Sequence, residues 1–398
     1  MLSSVFNMAV WVVFSISLTA LMYSQLIYPL LMVLASRRRV TVPIPDEWPD
    51  VTLIIPAHNE SMVIEAKIEN ALAIDYPEDK LQVIVASDGS HDDTIPKARA
   101  FENQGVKVLD LNPRRGKASV LNDAVAASSG EILCLCDANV MFRPDAIRRM
   151  VAHLSDASIG AVTGDVRLAS EQSDFGEGES LFYKVERAIQ LGESRIGSLV
   201  CVDGGMYVLR KEHFQSLRPD TVLDDFTTTM NVVMSGKRVV YEPAAIADEN
   251  GTPSWKQEFR RRIRTTIGAV QSVRRGFRPS IRQPIVLTQY ISHKLLRWLG
   301  PIWLIALFVS SCVLWNSGTT MQAFVIAQAG FYGLALLATI SRSLRESSVG
   351  GIPFYFSMSH LAMLVGLVKS IRETTLGTWE RTERQLPVTG THSTEPAS

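Results

Sequence analysis

The sequence predicts an α/β protein, a mostly parallel sheet flanked by helices and set between N-terminal and C-terminal transmembrane helices. Three observations lead there. Short apolar runs alternate with helical patterns between residues 51 and 250. Long stretches without charge occupy both ends. Arginines stand where those stretches stop.

No charged residue occurs from Met1 to Ser36, and Pro29 is placed to kink the segment. A bilayer crossing takes about 20 apolar residues, so residues 1–36 read as an N-terminal membrane anchor. Arg37, Arg38 and Arg39 follow at once. A cleavable signal would carry its positive charge before the apolar run. The anchor is therefore retained, and the positive-inside rule puts the following chain in the cytosol.

Residues 50–250 form the expected cytosolic catalytic domain. Val51–Pro56, Gln82–Ser87, Val106–Leu109 and Glu131–Cys136 read as strands. Helical patterns follow at Ser61–Ala73, Asp92–Phe101 and Ala118–Ala127. Continuous apolar strands of this kind are covered on both faces, and ligands bind beyond their carboxyl ends. Those ends carry His58-Asn59-Glu60, Asp88-Gly89-Ser90, Arg114-Arg115-Gly116-Lys117 and Asp137-Ala138-Asn139. Any one alone reads as a helix cap or turn. Four at one sheet edge read as a site, where acids can hold a hard divalent cation and Lys117 can meet a diphosphate. The runs GxxxxGK[ST] and GxGxxG are absent, which weighs against a P-loop and a dinucleotide oxidoreductase. Leu199–Val202 reads as a further strand before the turn Asp203-Gly204-Gly205, whose glycines could admit a sugar close to the backbone. Asp224-Asp225 opens a helical pattern through Met234. One of that pair is a candidate general base, and the helix dipole alone would also favour two acids there.

Residues 251–299 form a basic interfacial segment, with eleven Lys/Arg against the single acid Glu258. Pro284–Leu299 mixes apolar residues with His293, Lys294 and Arg297 and fits an amphipathic helix among lipid headgroups. Residues 300–368 form a C-terminal membrane region with candidate spans Pro301–Trp315, Thr320–Ile340 and a short Ile352–Val368. Residues 369–398 read as a cytosolic tail. Lys369, Arg372, Arg381 and Arg384 favour the cytosol, which three full crossings would deny them. A re-entrant or interfacial third segment removes the conflict.

Formal net charge is zero, so no global field draws the chain to nucleic acid. The four cysteines (Cys134, Cys136, Cys201, Cys312) have no metal or disulfide spacing and read as buried thiols.

The series IIPAHNE, ASDGSHDDT, RRGKASVLNDAV, CLCDAN, DGGMYVLRKE, LDDF and RRRIR resembles the family 2 glycosyltransferases, which have the GT-A fold and include membrane-bound polysaccharide synthases. The resemblance spans about residues 50–270 and extends to the late Trp379–Arg384 run. It implies an inverting transfer of a sugar from a nucleotide-diphosphate donor, with UDP the usual nucleotide, to a saccharide or lipid-linked acceptor. By the same resemblance Glu60 and Asp88 contact base and ribose, and Lys117 sits near the diphosphate. Asp137 and Asn139 hold Mg²⁺ or Mn²⁺. Gly204 and Gly205 border the acceptor, and Asp225 is the base with Asp224 before it. Arg261 and Arg264 stand where the family has QxxRW. Asn139 replaces that family's second metal-binding acid, and Thr265 stands where its Trp would be. The implied setting is a multi-pass protein of a bacterial inner membrane, with membrane lipids and synthase-complex subunits as partners. Two other readings stay open: a non-catalytic nucleotide-sugar-binding scaffold, and a small transporter, which the long insert between the spans disfavours.

Overall fold

The structure, a computed structural model, describes residues 2–37, 42, 45–168, 177–249 and 254–372. Arg38, Arg39, Arg381, Arg384 and the 386–398 tail lie outside them.

Eight strands form one sheet: β1 (Val51–Ala57), β2 (Leu81–Asp88), β3 (Lys107–Leu111), β4 (Ile132–Cys136), β5 (Val140–Phe142), β6 (Ile159–Leu168), β7 (Met206–Arg210) and β8 (Arg238–Glu249). Their order is β3-β2-β1-β4-β7-β6-β8-β5. The pairs β1–β2, β1–β4, β2–β3 and β6–β8 are parallel, and β4–β7, β6–β7 and β5–β8 are antiparallel. The sheet is thus mixed, with its parallel character concentrated in the first half. From β1 the chain winds outward to β2 and β3, then returns to place β4 on the other side of β1. That reversal opens a crevice at the carboxyl ends of β1 and β4.

The apolar runs are continuous because both sheet faces are covered. Leu53, Ile55, Val83 and Cys134 pack on one face with Ile64, Ile68 and Ile147. Ile54, Ile84, Leu133 and Tyr207 pack on the other with Val120, Leu121 and Phe226. Each such fully buried aliphatic side chain contributes roughly 1.5–3 kcal/mol.

The helices are α1 (Leu2–Met22), α2 (Tyr28–Ser36), α3 (Ile64–Leu72), α4 (Thr94–Arg99), α5 (Lys117–Ala126), α6 (Ala146–Ala152), α7 (Glu177–Ile196), α8 (Asp224–Met234), α9 (Trp255–Arg274), α10 (Pro284–Gln289), α11 (Leu296–Trp298), α12 (Gly300–Val313), α13 (Thr319–Ile340), α14 (Arg342–Glu346) and α15 (Ser348–Arg372). A π turn at Tyr23–Ile27 joins α1 to α2 just before Pro29. Several expectations need correction. Leu199–Val202 forms no strand; it is a buried loop, and the strand β7 starts after the glycines at Met206. Helix α7 was not read from the sequence. Of the four cysteines expected to be buried, Cys134 and Cys136 are, Cys201 is only partly so, and Cys312 is exposed on α12.

Val5–Ser36, Thr319–Ile340 and Ser348–Ile371 are long and apolar enough to cross a membrane. The segments Pro284–Trp298 and Gly300–Val313 meet the same test as a pair but are bent by 60°. The expectation of a short third C-terminal segment is therefore reversed: α12 is the short one, 14 residues or about 21 Å long. Helix α15 follows α9. Phe354 meets the Trp255 ring, Tyr355 O–H lies 2.5 Å from Arg262 Nη2, and Ser370 carbonyl accepts from Arg274 Nη1 at 2.8 Å. The cations of 284–299 also turn inward rather than toward headgroups. His293 lies 2.7 Å from Glu186 and 3.0 Å from Glu193, and Arg297 lies 2.8 Å from Glu186. Glu186 and Glu193 on α7 hold them, and Tyr28 O–H donates to the same Glu193 at 2.5 Å, fastening the N-terminal helix to α7.

Candidate active site

The loops that leave β1 and β2 are stitched together. Ser90 Oγ accepts from Asn59 N–H at 3.0 Å, Asn59 Oδ1 accepts from His91 N–H at 2.8 Å, and Thr94 Oγ1 accepts from Glu60 N–H at 2.8 Å. Glu60 itself is buried. Asp88, at the end of β2, turns its carboxylate to the next loop. It accepts from Arg115 N–H at 2.7 Å and Gly116 N–H at 2.9 Å, with Arg114 Nε at 3.7 Å. Gly89 adopts φ +61°, and a β-carbon there would lie 3.0 Å from Arg114 N, so this junction requires glycine. Asp88 thus fixes residues 114–116, and that loop delivers Lys117 as the first residue of α5.

Lys117 is where separate elements meet. Its Nζ lies 2.8 Å from Asp137 Oδ1, beyond β4, and 3.3 Å from Asp224 Oδ2, at the start of α8. Burial alone would lower the Lys117 pKa, but Asp137 and Asp224 outweigh it and raise the value. Asp225 follows Asp224, and burial and the Asp224 charge push its pKa up to about 6. Gly204 faces it: a β-carbon at Gly204 would lie 3.0 Å from Asp225 Oδ2. A β-carbon at Gly205 would lie 3.1 Å from Val140 Cγ2.

The two arginines named from the sequence separate. Arg261 forks onto Glu258 at 2.6 and 3.0 Å, and Arg262 holds the same carboxylate at 2.8 Å. Arg264 forms no ion pair among the described residues. Burial lowers its pKa, as does Arg261, while Asp137, Asp224 and Asp225 act in the opposite sense. Of these two arginines, Arg264 is the one that feels the charges of Asp137, Asp224 and Asp225.

Asn139 Nδ2 donates to Glu249 Oε1 at 3.0 Å, while its Oδ1 is buried without a hydrogen-bond partner. Among the described residues no group of three or more His, Cys, Asp or Glu is gathered as a metal site.

Sequence reasoning missed three contributors. Asp203 accepts from Gly205 N–H at 2.9 Å, and burial pushes its pKa up to about 7, with Glu249 and Asp225 adding to the rise. In the sequence it stands only as part of a turn. Trp298, on α11, packs edge-on against Phe226 at 5.7 Å, next to Asp225 in the chain. It lines a cavity of about 480 Å³ shared with Asp203, Glu249 and Arg261. An aromatic ring thus stands by the site although Thr265 occupies the expected Trp position. Glu258 is, in the sequence, a lone acid in a basic run, with no signal of its anchoring role.

A sheet whose parallel half ends in an acid cluster, bridged by a lysine and joined to membrane-length helices, defines a GT-A-type α/β protein. The model of the family described as "Glycosyltransferase like family 2" matches residues 49–268, and the chain belongs to that family. Curated relatives include the poly-beta-1,6-N-acetyl-D-glucosamine synthase of Staphylococcus aureus (strain COL), 28% identical over 225 residues, 54% of this chain and 54% of that one. The synthase of the same name from Staphylococcus epidermidis is 26% identical over 242 residues, 58% of this chain and 57% of that one. The chain spans about half the length of the curated relatives it matches. Among solved structures, the mannosyltransferase PcManGT from Pyrobaculum calidifontis, in complex with GDP-Man and Mn²⁺, aligns with TM-score 0.68 at 22% identity, over 90% of this chain and 99% of that one. At that identity the likeness is one of fold.

Proposed function

We propose that this chain is an inverting glycosyltransferase. It moves a sugar from a nucleotide-diphosphate donor, UDP-linked in the first instance, to a saccharide or lipid-linked acceptor in cell-surface polysaccharide or glycolipid synthesis. The setting is the cytosolic face of a bacterial inner membrane. The observation that carries the reading is the meeting of Lys117, Asp137, Asp224 and Asp225 beside Gly204.

In this reading Asp225 is the general base. A pKa of about 6 leaves it mostly ionised at neutral pH, yet basic enough to take a hydroxyl proton. The acceptor oxygen attacks the anomeric carbon as its O–H proton passes to Asp225. The bond from that carbon to the diphosphate breaks on the opposite face, and the nucleoside diphosphate leaves with the electron pair. Lys117 and Arg264 stabilise the charge that develops on the leaving group, usually the largest catalytic contribution. Gly204 keeps the Asp225 carboxylate clear on the acceptor side, and Gly205 and Trp298 border the acceptor.

Two protein oxygens, the Asp137 carboxylate and the orphaned Asn139 Oδ1, would hold a hard cation beside the diphosphate. A bound Mg²⁺ or Mn²⁺ supplies further positive charge to the diphosphate. The neighbour of the same fold, solved with GDP-Man and Mn²⁺, supports that fit. Glu60 and Asp88 serve the nucleotide through the loops they order.

The path of α15 along α9 supports an interfacial helix rather than a crossing. Helix α9 carries too many arginines to enter a bilayer, and α15 follows it from Phe354 to Ser370. Residues 369–398 then stay on the cytosolic side.

The test is a donor screen on the full chain in nanodiscs, with UDP-GlcNAc, UDP-glucose and GDP-mannose, each with Mg²⁺ or Mn²⁺. Nucleoside diphosphate release that depends on one donor and on Asp225 supports the reading. Binding without release from any donor overturns it.

A further inference from the structure

Below the polar cavity lies a second, apolar one. Its volume is about 800 Å³, and it is walled by α9, α12, α13 and α15, with Leu304, Phe308, Ala335, Met358 and Leu361 among its lining. That size falls within the roughly 300–1,000 Å³ typical of ligand sites. Leu336 and Leu361 line it and are 70% and 55% exposed, so it opens sideways where α13 presents hydrocarbon-compatible surface. An apolar opening of this kind suits hydrocarbon chains better than free sugars.

The rim is not apolar. Lys256 and Arg260, one turn apart on α9, stand at it, and both are exposed. Neither forms an ion pair among the described residues. Like charges one turn apart repel, and among the described residues no carboxylate pairs with either. An anion at the rim would.

The two cavities adjoin. His360 lines both, its ring 4.1 Å from that of Phe356. Helix α9 links them a second time. At 1.5 Å per residue, Lys256 precedes Arg264 by about 12 Å along the axis. A phosphate held at the rim therefore stands about 12 Å along α9 from Arg264, the arginine that feels the charges of the acid cluster.

Resting on the glycosyltransferase reading, we propose that the acceptor is a lipid phosphate conjugate. Its hydrocarbon chain lies in the groove between α12, α13 and α15, its phosphate pairs with Lys256 and Arg260, and its hydroxyl-bearing end passes the Phe356–His360 pair toward Asp225.

The experiment uses the full chain in phosphatidylcholine nanodiscs and a diazirine-bearing hexadecyl phosphate as probe, with labelled peptides mapped by mass spectrometry. Saturable labelling on α12, α13 and α15 is expected. Unlabelled hexadecyl phosphate should compete; hexadecanol and inorganic phosphate should not, which separates a lipid phosphate from either part alone. The double variant Lys256→Glu, Arg260→Glu should lose labelling at least tenfold, and Ala335→Trp should lose it by filling the groove. Nucleotide binding by both variants, measured with UDP and GDP, certifies their fold. Three results would overturn the proposal: labelling unchanged in the charge variant, competition by hexadecanol, or labels scattered over α1 as over α13, the pattern of annular lipid. Capture of a second polypeptide in the groove in place of the probe would do the same. Absence of donor turnover with groove labelling intact strikes the catalytic reading alone.

Discussion

Lys117 Nζ lies 2.8 Å from Asp137 Oδ1, so a residue at the start of a helix is joined to one beyond a strand twenty positions later. The same ammonium reaches Asp224 at 3.3 Å. Replacing it removes the cation and leaves two acids facing each other. Lys117→Ala should lower turnover by about 10²–10³, the usual cost of losing one preorganised charge partner. Lys117→Arg should recover part of the loss. Nucleoside diphosphate release at saturating donor is the measurement, and wild-type turnover in the alanine variant would remove Lys117 from the charge-stabilising role.

Asp225→Asn should abolish transfer while donor affinity stays within about threefold, because the base acts on the acceptor. The wild-type rate should rise with pH through about 6, where Asp225 loses its proton. A pH-independent rate between 5 and 8, in a system limited by chemistry, contradicts that assignment.

Gly204→Ala tests geometry rather than charge. The new β-carbon would meet Asp225 Oδ2 at 3.0 Å and push the carboxylate aside. We expect kcat to fall about tenfold or more, as small misplacements of a reacting group do, with the donor KM little changed. A loss confined to KM would show that Gly204 borders the donor instead.

Arg264→Ala and Arg261→Ala should differ. Arg264 has no ion pair among the described residues and feels the acid cluster, so its loss should weaken turnover by about 10². Arg261 is held by the buried Glu258, so its loss should act mainly on thermal stability. Equal kinetic losses would show that Arg261 also reaches the diphosphate.

Asp203 couples the site to stability. Its pKa rises from 3.8 to about 7 on folding, chiefly through burial. Between those values the folded chain holds a proton that the unfolded chain has released, so this contribution to stability declines as pH rises. Asp203→Asn keeps an acceptor for Gly205 N–H and carries no charge. Relative to wild type, its Tm should match near pH 4 and be higher by pH 8, by roughly 2–4 °C for each kcal/mol recovered. A Tm difference that does not change with pH would show that Asp203 does not titrate in this range.

Much of this was legible in the sequence. Four strand positions matched closely, and three of them, β1, β2 and β4, are mostly apolar runs between turn residues, as strands covered on both faces are. Asp224–Met234 was read to the residue, since two acids mark a helix start plainly. Strands β5, β6, β7 and β8 escaped notice: β5 and β7 are short, and the sheet pairing of all four is non-local.

By itself the sequence determined the chemical inventory: charge-free ends, acids after strands, a lysine at a helix entry, glycines before β7. These are local properties, readable from spacing and residue type. The tertiary structure alone decided which of them act together. It set Lys117 between Asp137 and Asp224, brought Trp298 to Phe226, turned Arg261 to Glu258 while leaving Arg264 to the acids, and laid α15 along α9. Each of those pairings depends on loop closure and on competition for buried partners. Such energies arise only once distant segments share a desolvated space, and no window of sequence contains them.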